Sequence, residues 1–231
     1  MKCLYRQLFM CLMLLCAGQL QAASISQWDL PDGKMFTLAY QSLQKIRIEL
    51  GQGNQILVLG RKSYLISGQG GARVAVDMAE MGGTLEALGG MMAQRAKKSI
   101  NRFKGSKALF KKTGRRELVG AYTGEVYEVF ITTEQGRERH EVVVSKHPDV
   151  LALQAIFMEL GTRAAKIMGN NQTLATLNYF SRQADSVGIG GVLRYGHDLK
   201  LRKLEKKALP ATYFSMPKGV TVISLPVFPG L

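Results

Sequence analysis

Strict alternation of apolar and polar side chains in one short segment constrains the fold of this chain more than any other feature. In residues 45–50, which read KIRIEL, the apolar side chains fall on one side of an extended chain and the charged ones on the other. Residues 35–40 and 73–78 alternate in the same way, and a Gly-Gln-Gly-Asn turn follows at 51–54. This pattern predicts antiparallel strands with one face on a hydrophobic core and the other face in water.

Two segments have the pattern of long helices, and residues 173–184 are expected to continue as a shorter helix. In residues 84–100, Leu85, Leu88 and Met92 recur at helical spacing. Residues 150–168 are apolar nearly all round as far as residue 160, which is typical of a helix that is buried or clamped between layers. Further strands are predicted between 108 and 145, and at 192–195, 199–204 and 211–216.

The order of these elements is strands, a helix, strands, a helix and strands. It predicts an α+β fold with one curved antiparallel sheet, a half-barrel with helices packed on its concave face. The sequence shows no internal repeat, no low-complexity tract and no dividing linker. We therefore expect a single domain over residues 23–231, with a basic helical segment at about 82–112.

Residues 1–22 have the layout of a secretory signal peptide. Lys2 and Arg6 precede an apolar run at 8–17, and small residues lead to a cleavage site after Ala22. The alternatives are a membrane anchor and lipidation at Cys16. The run is shorter than the roughly 20 residues that cross a bilayer, which disfavours a stable transmembrane anchor. Lipoprotein signals place a small residue before the cysteine, where this chain has Leu15. We expect a periplasmic protein.

Cleavage after Ala22 would also remove every cysteine, because Cys3, Cys11 and Cys16 all precede it. A chain without cysteine has no disulfide, no thiolate zinc site and no cysteine nucleophile. The three histidines lack the spacing of a zinc site, and Gly-x-Ser-x-Gly and phosphate-loop motifs are absent from the mature chain. The sequence therefore predicts no catalytic residue, no metal and no cofactor; a hydrolase of unknown type is the disfavoured alternative.

The formal net charge is +14, and part of it is concentrated in one stretch. Residues 95–116 contain ten basic residues and no acid, and residues 200–207 hold a second, diluted group. Such fields favour anionic partners, which outside the cytoplasm are lipid head groups or acidic polymers rather than nucleic acid. The alternative is a solubilising surface. The candidate anion-binding residues are Arg95, Lys97, Lys98, Arg102 and Lys104.

Methionines cluster where the strand at 73–78 meets the first helix. Methionine adapts to apolar ligands of variable shape, so this cluster suggests a soft pocket for an acyl chain. Ordinary core filling is the alternative, and Met158 and Met168 add to the signal on the second helix. The candidate pocket residues are Met78, Met81, Leu85, Leu88, Met91 and Met92.

Several segments resemble a known superfamily. They are residues 45–50, 56–66, 114–122, 126–129, 142–145 and 209–219. With the element order and the signal peptide, they resemble the periplasmic lipoprotein carriers, and more closely a family of exported bacterial proteins of unknown function. The resemblance implies an unclosed half-barrel whose apolar hollow is plugged by helices, and it implies no established activity. The basic, glycine-broken segment at 82–112 departs from that pattern.

These observations lead to two functional hypotheses. The first is non-catalytic binding of a lipid or a lipidated ligand such as a lipoprotein. The alternative is an envelope interaction protein that docks on anionic membrane or polymer surfaces through its basic segment.

Overall fold

The protein is α+β and is built on one curved, unclosed sheet of twelve strands. A computed structural model describes residues 21–69, 72–80, 107–133, 136–167, 169 and 171–224. Residues 1–20 of the signal peptide predicted at 1–22, the helix predicted at 84–100 and most of the basic segment lie outside these residues. The last part of that segment is described, and residues 107–112 are extended there rather than helical.

The strands are β1 (Gln21–Asp29), β2 (Met35–Ser42), β3 (Lys45–Gly51), β4 (Asn54–Leu59), β5 (Lys62–Gln69), β6 (Ala72–Asp77), β7 (Lys107–Val119), β8 (Tyr122–Thr133), β9 (Gly136–Ser145), β10 (Gly191–Tyr195), β11 (Leu199–Leu209) and β12 (Val220–Ile223). The described helices are α1 (Pro148–Ile167) and α2 (Asn171–Ser186), with short 3₁₀ helices at Pro31–Gly33 and Ala211–Phe214.

The sheet has two groups of strands, β1 to β6 together with β12, and β7 to β11, which join where β1 pairs with β11. The order across the sheet is β12-β6-β5-β4-β3-β2-β1-β11-β10-β9-β8-β7. Apart from β12 on β6, every described pair is antiparallel. The prediction of a purely antiparallel sheet is therefore wrong at this edge. The chain after β11 crosses one face of the sheet instead of turning back, and such a crossover can deliver a strand parallel to its neighbour.

The predicted cleavage site lies inside β1. Gln21 and Ala22 pair with Leu209 and Ala208 of β11, so cleavage after Ala22 would shorten this pairing by two residues. Ala23, the next residue, is buried at 3% exposure. The cleavage site stays a prediction.

The main core lies between α1 and one face of the sheet. It joins side chains from nine strands, β1 to β4 and β7 to β11, with Val150, Leu153 and Ile156 of α1. Trp28 of β1 is fully buried at its centre, and its ring meets Phe157 of α1 edge-on at a centroid distance of 5.2 Å. Burying side chains of this size stabilises the fold by about 1.5–3 kcal/mol each, so this contact fixes α1 across the sheet.

The opposite face of the sheet is partly covered by residues 210–223, which we call the C-terminal strap. Met216 and Val220 of the strap pack on Leu57 and Ile66. The prediction that this face lies in water is therefore wrong beneath the strap. The strand predicted at 211–216 is also wrong, because the 3₁₀ helix Ala211–Phe214 forms there and buries Phe214 against the sheet.

Tyr213 fixes the strap to β3. Its ring lies under the guanidinium of Arg47, 4.8 Å from ring centroid to Cζ, and its hydroxyl donates a hydrogen bond to Glu49 Oε1 over 3.1 Å. Arg47 also donates to the backbone oxygen of Ser215 over 3.1 Å. The charged residues of the alternating segment 45–50 thus hold the strap instead of facing only solvent.

Candidate functional site

The sheet splits between β10 and β11. These strands pair only at the turn that joins them, through Arg194 with Lys200 and Tyr195 with Leu199. Helix α1 lies beside the first part of β10 instead. There the backbone N–H of Val192 donates a hydrogen bond to Gln154 Oε1 over 3.3 Å.

Gly191 permits this close approach of helix and strand. A Cβ atom at this position would lie 2.5 Å from the carbonyl oxygen of Val150 and 3.0 Å from its Cγ1. Glycine is the residue that allows two backbones to approach so closely. The first turns of α1 therefore take the place of a neighbouring strand.

Because it lies in this split, α1 contacts structure on two sides. Val150, Leu153 and Ile156 face the main core. Leu151, Ala155 and Met158 face a cavity on the other side of the helix. This arrangement explains why residues 150–160 are apolar nearly all round. The prediction of a buried helix is correct for one side only, since Leu151 is 44% exposed.

The cavity has a volume of about 640 Å³ and lies between the two helices and strands β7 to β10. We call it the acyl cavity, after the acyl-chain ligand that the sequence predicts. Its strand wall consists of Phe110, Tyr127, Val129, Ile131, Val142, Val144, Val192 and Tyr195. Leu177, Phe180 and Ala184 of α2 form the facing wall. The volume is within the range of about 300–1,000 Å³ that small-molecule sites occupy.

The lining of the acyl cavity is chemically simple. Asp185 of α2 is the one charged residue among the described residues that line it. The other polar groups include the amide of Gln154, which is engaged with Val192, and the hydroxyls of Thr176 and Ser181. No histidine and no cysteine belongs to this described lining. The cavity can exclude water from an apolar ligand.

A second, polar cavity of about 540 Å³ adjoins the first and shares Tyr127, Val144 and Gly190 with it. We call it the basic vestibule. Its other lining residues are Lys112, Arg116, Thr123, Gly124, Glu125, Ser145, Lys146, Val187 and Gly188. Three cations and one carboxylate give this described lining a formal net charge of +2.

Only one of the three vestibule cations is held by the carboxylate. Lys112 Nζ lies 2.7 Å from Glu125 Oε1. This hydrogen bond lowers the pKa of Glu125 and raises the pKa of Lys112. Arg116 and Lys146 are exposed and form no ion pair with another described residue.

Basic residues near β9 and β10 are paired more completely. Arg194 is 14% exposed and donates to both carboxylate oxygens of Glu117, at 2.9 and 2.7 Å. Arg194 and Arg115 both bind Glu141, and their hydrogen bonds lower the pKa of Glu141. Part of the basic stretch 95–116 is therefore neutralised in the fold by acids that are distant in sequence.

The pocket residues chosen from the sequence do not coincide with the acyl cavity where they are described. Met78 belongs to a helical turn at 78–80 after β6, near the other end of the sheet, and does not line the cavity. Met81, Leu85, Leu88, Met91 and Met92 lie outside the described residues, as do Arg95, Lys97, Lys98, Arg102 and Lys104. These assignments stay predictions. Met158, which the sequence places on the second predicted helix and which lies in α1, does line the cavity.

Sequence reasoning missed the strand wall of the cavity. The signal was the run Val142-Val143-Val144, because three consecutive apolar residues in a strand indicate burial of both faces. In the structure Val143 belongs to the main core, whereas Val142 and Val144 line the acyl cavity.

No protein-family model matches the chain, and no curated protein is significantly similar to it. In the described part of the chain, no helix combines the length and apolar character needed to cross a membrane. Over the same residues, no cluster of three or more histidine, cysteine or acidic side chains could hold a metal ion. The two cavities are therefore the features of the described residues that point to a function.

Proposed function

We propose that this protein is a non-catalytic periplasmic binder of a lipid or lipidated ligand, whose acyl chain lies in the acyl cavity. The observation that carries this proposal is a sizeable cavity, about 640 Å³, walled by apolar side chains from four strands and two helices. Large apolar concavities in soluble domains mark interaction sites, since exposing apolar surface to water is unfavourable.

The energetics favour an acyl chain. Each buried methylene contributes about 0.8 kcal/mol, so about twelve methylenes supply a gross driving force on the order of 10 kcal/mol. Loss of translational freedom and ordering of the chain reduce this value considerably. The gross driving force is nevertheless much larger than that of a single exposed ion pair, which supplies less than about 1 kcal/mol.

The geometry of α1 supports access to the cavity. Leu151 and Ala155 line the cavity and are exposed, so a ligand can reach the interior side chains without displacing the main core. Val150 and Leu153, which hold α1 on the sheet, face the opposite side. Binding and stability are therefore assigned to different sides of one helix.

The experiment compares two identical substitutions on α1. Ala155→Phe places a ring in the acyl cavity, whereas Ala152→Phe places it on an exposed position of the same helix that does not line the cavity. Binding of palmitoyl lysophosphatidylcholine is measured by calorimetry below the concentration at which the lysolipid aggregates. We expect Ala155→Phe to weaken binding at least about tenfold and Ala152→Phe to change it less than about twofold.

Two results would contradict the proposal. One is the absence of measurable binding by the unmodified protein. The other is equal affinity of the two variants, which would place the lysolipid elsewhere on the surface. Thermal unfolding of each variant confirms that the comparison is made between folded proteins.

A further inference from the structure

The basic vestibule opens beside the acyl cavity, and the two share part of their walls. Tyr127 of β8 and Val144 of β9 line both, as does Gly190 before β10. A ligand that spans this shared wall meets apolar side chains on one side and cations on the other. Such a ligand is an amphiphile.

We propose that the ligand is an anionic amphiphile, whose head group lies in the basic vestibule between Arg116 and Lys146 while its acyl chain occupies the acyl cavity. This inference rests on the proposed function, since it assigns the head group of the same ligand. The chemistry recognised is a set of negatively charged oxygens, as in a phosphate or a carboxylate.

Arg116 and Lys146 are the available cations of the vestibule. Glu125 forms its ion pair with Lys112 and attracts Arg116, its cross-strand neighbour, only without direct contact. Most of the net positive charge of the lining therefore comes from Arg116 and Lys146. The planar guanidinium of Arg116 can donate two parallel hydrogen bonds to a phosphate or carboxylate, and the ammonium of Lys146 adds a compact charge. Unpaired cations also occur elsewhere, for example Lys34 and Lys218, but neither of them lines a described cavity.

Asp185 supports the same orientation of the ligand. It is the one charged residue among the described residues of the acyl cavity, and it is absent from the lining of the vestibule. A carboxylate there repels an anionic head group from the α2 side of the cavity. The charges therefore favour a position of the head group beside Arg116 and Lys146 over one on the α2 side of the acyl cavity.

The test compares lysolipids that differ only in head group. Palmitoyl lysophosphatidylglycerol is anionic and palmitoyl lysophosphatidylcholine is zwitterionic, with the same acyl chain. We expect the anionic lysolipid to bind about tenfold more tightly at low salt, and high salt to remove most of this difference. Palmitate is the third probe, and its binding shows whether the vestibule also accepts a carboxylate head group.

The decisive variant reverses both vestibule cations, Arg116→Glu with Lys146→Glu. We expect it to lose the preference for the anionic lysolipid over lysophosphatidylcholine. The matched control, Lys34→Glu with Lys218→Glu, changes the net charge by the same amount at exposed positions away from both cavities. It should keep the preference. If the decisive variant unfolds, Arg116→Gln with Lys146→Gln replaces it, with the same expectation.

The outcomes separate this inference from the proposed function. Equal affinity of the unmodified protein for the two lysolipids overturns the inference alone, provided that Ala155→Phe still weakens the binding of lysophosphatidylcholine. An unchanged preference in the decisive variant also overturns it, as does tighter binding of dodecyltrimethylammonium, a cationic amphiphile that Asp185 would attract. If the unmodified protein binds none of these amphiphiles, the proposed function itself fails.

Discussion

The backbone N–H of Val192 donates its hydrogen bond to the side chain of Gln154, a residue of α1, and not to a neighbouring strand. The Gln154 side chain thus accepts a hydrogen bond from the part of β10 that does not pair with β11. This exchange of partners places α1 beside β10, where the helix has the main core on one side and the acyl cavity on the other.

Replacing Gln154 by methionine should destabilise the protein. The change removes the acceptor but keeps the shape of the side chain, so the partly buried N–H of Val192 is left without its partner. An unsatisfied group of this kind costs about 1–3 kcal/mol. Urea unfolding measures the loss of stability, and hydrogen exchange should show faster exchange at the Val192 amide.

Gln183→Met on α2 is the control for this change. No described hydrogen bond uses the Gln183 side chain, so its replacement should alter the free energy of unfolding by less than about 0.5 kcal/mol. Equal effects of the two substitutions would contradict the role given to Gln154.

Replacing Gly191 by alanine should be more damaging than its small size suggests. The added Cβ would lie 2.5 Å from the carbonyl oxygen of Val150, which is backbone and cannot move aside alone. We expect a loss of about 1–3 kcal/mol in the free energy of unfolding, measured by urea titration, as α1 is pushed away from β10.

Gly161→Ala on α1 is the contrasting substitution. Its nearest neighbour would be the end of the Leu177 side chain at 3.3 Å, which can adjust. Alanine is favoured over glycine inside a helix by about 1 kcal/mol, so this variant should be as stable as the unmodified protein or more stable. A Gly191→Ala protein of unchanged stability would show that helix and strand do not approach as described.

Tyr213 makes the stability of the protein sensitive to alkaline pH. Burial, helped by the negative charge of Glu49, raises the pKa of Tyr213 to about 12 from its ordinary value near 10. Between these two values the unfolded chain loses a proton that the folded protein keeps. The stabilisation is therefore fully present below about pH 10 and is lost as the pH rises toward about 12.

Removing the Tyr213 hydroxyl should remove this part of the pH dependence. We expect unfolding of Tyr213→Phe, followed in urea at about pH 9 and about pH 11, to show a smaller loss of stability than the unmodified protein. Tyrosinate absorbance provides a second readout. The ionisation step at the highest pH, which we assign to Tyr213, should be missing from the titration of this variant. In a Glu49→Gln variant, the pH at which Tyr213 is half ionised should fall, because the neighbouring negative charge is removed. An identical pH dependence in Tyr213→Phe would exclude this residue as the cause.

The first half of the sheet could be predicted well from the sequence, because its strands are neighbours joined by short turns. The alternation in residues 45–50 places Ile46 in the core and corresponds closely to β3. A turn rich in glycine separates it from β4, and Gly51 and Gly53 both adopt positive φ angles there. Pattern and turn chemistry are local properties, so a single sequence displays them.

The cavity could not be predicted in the same way. It depends on Gly191 and Gln154, which lie far apart in the chain and belong to no periodic pattern. The prediction of a strand at 211–216 is wrong for a related reason. These residues alternate like a strand, but Phe214 packs against the sheet instead of pairing with a neighbouring strand. Long-range packing decides such segments, and one sequence does not display it.

The central place of β1 in the sheet has a kinetic consequence. Strands β1 to β6 and strands β7 to β9 can each form from local hairpins, but β1 joins the two halves of the sheet by pairing with β11, which begins at residue 199. Contacts between segments this far apart form late, since the entropy of closing the intervening chain must be overcome first. The two halves of the sheet therefore unite only when almost the whole chain is free to fold, and until then both sides of the future β1–β11 seam remain open to chaperones.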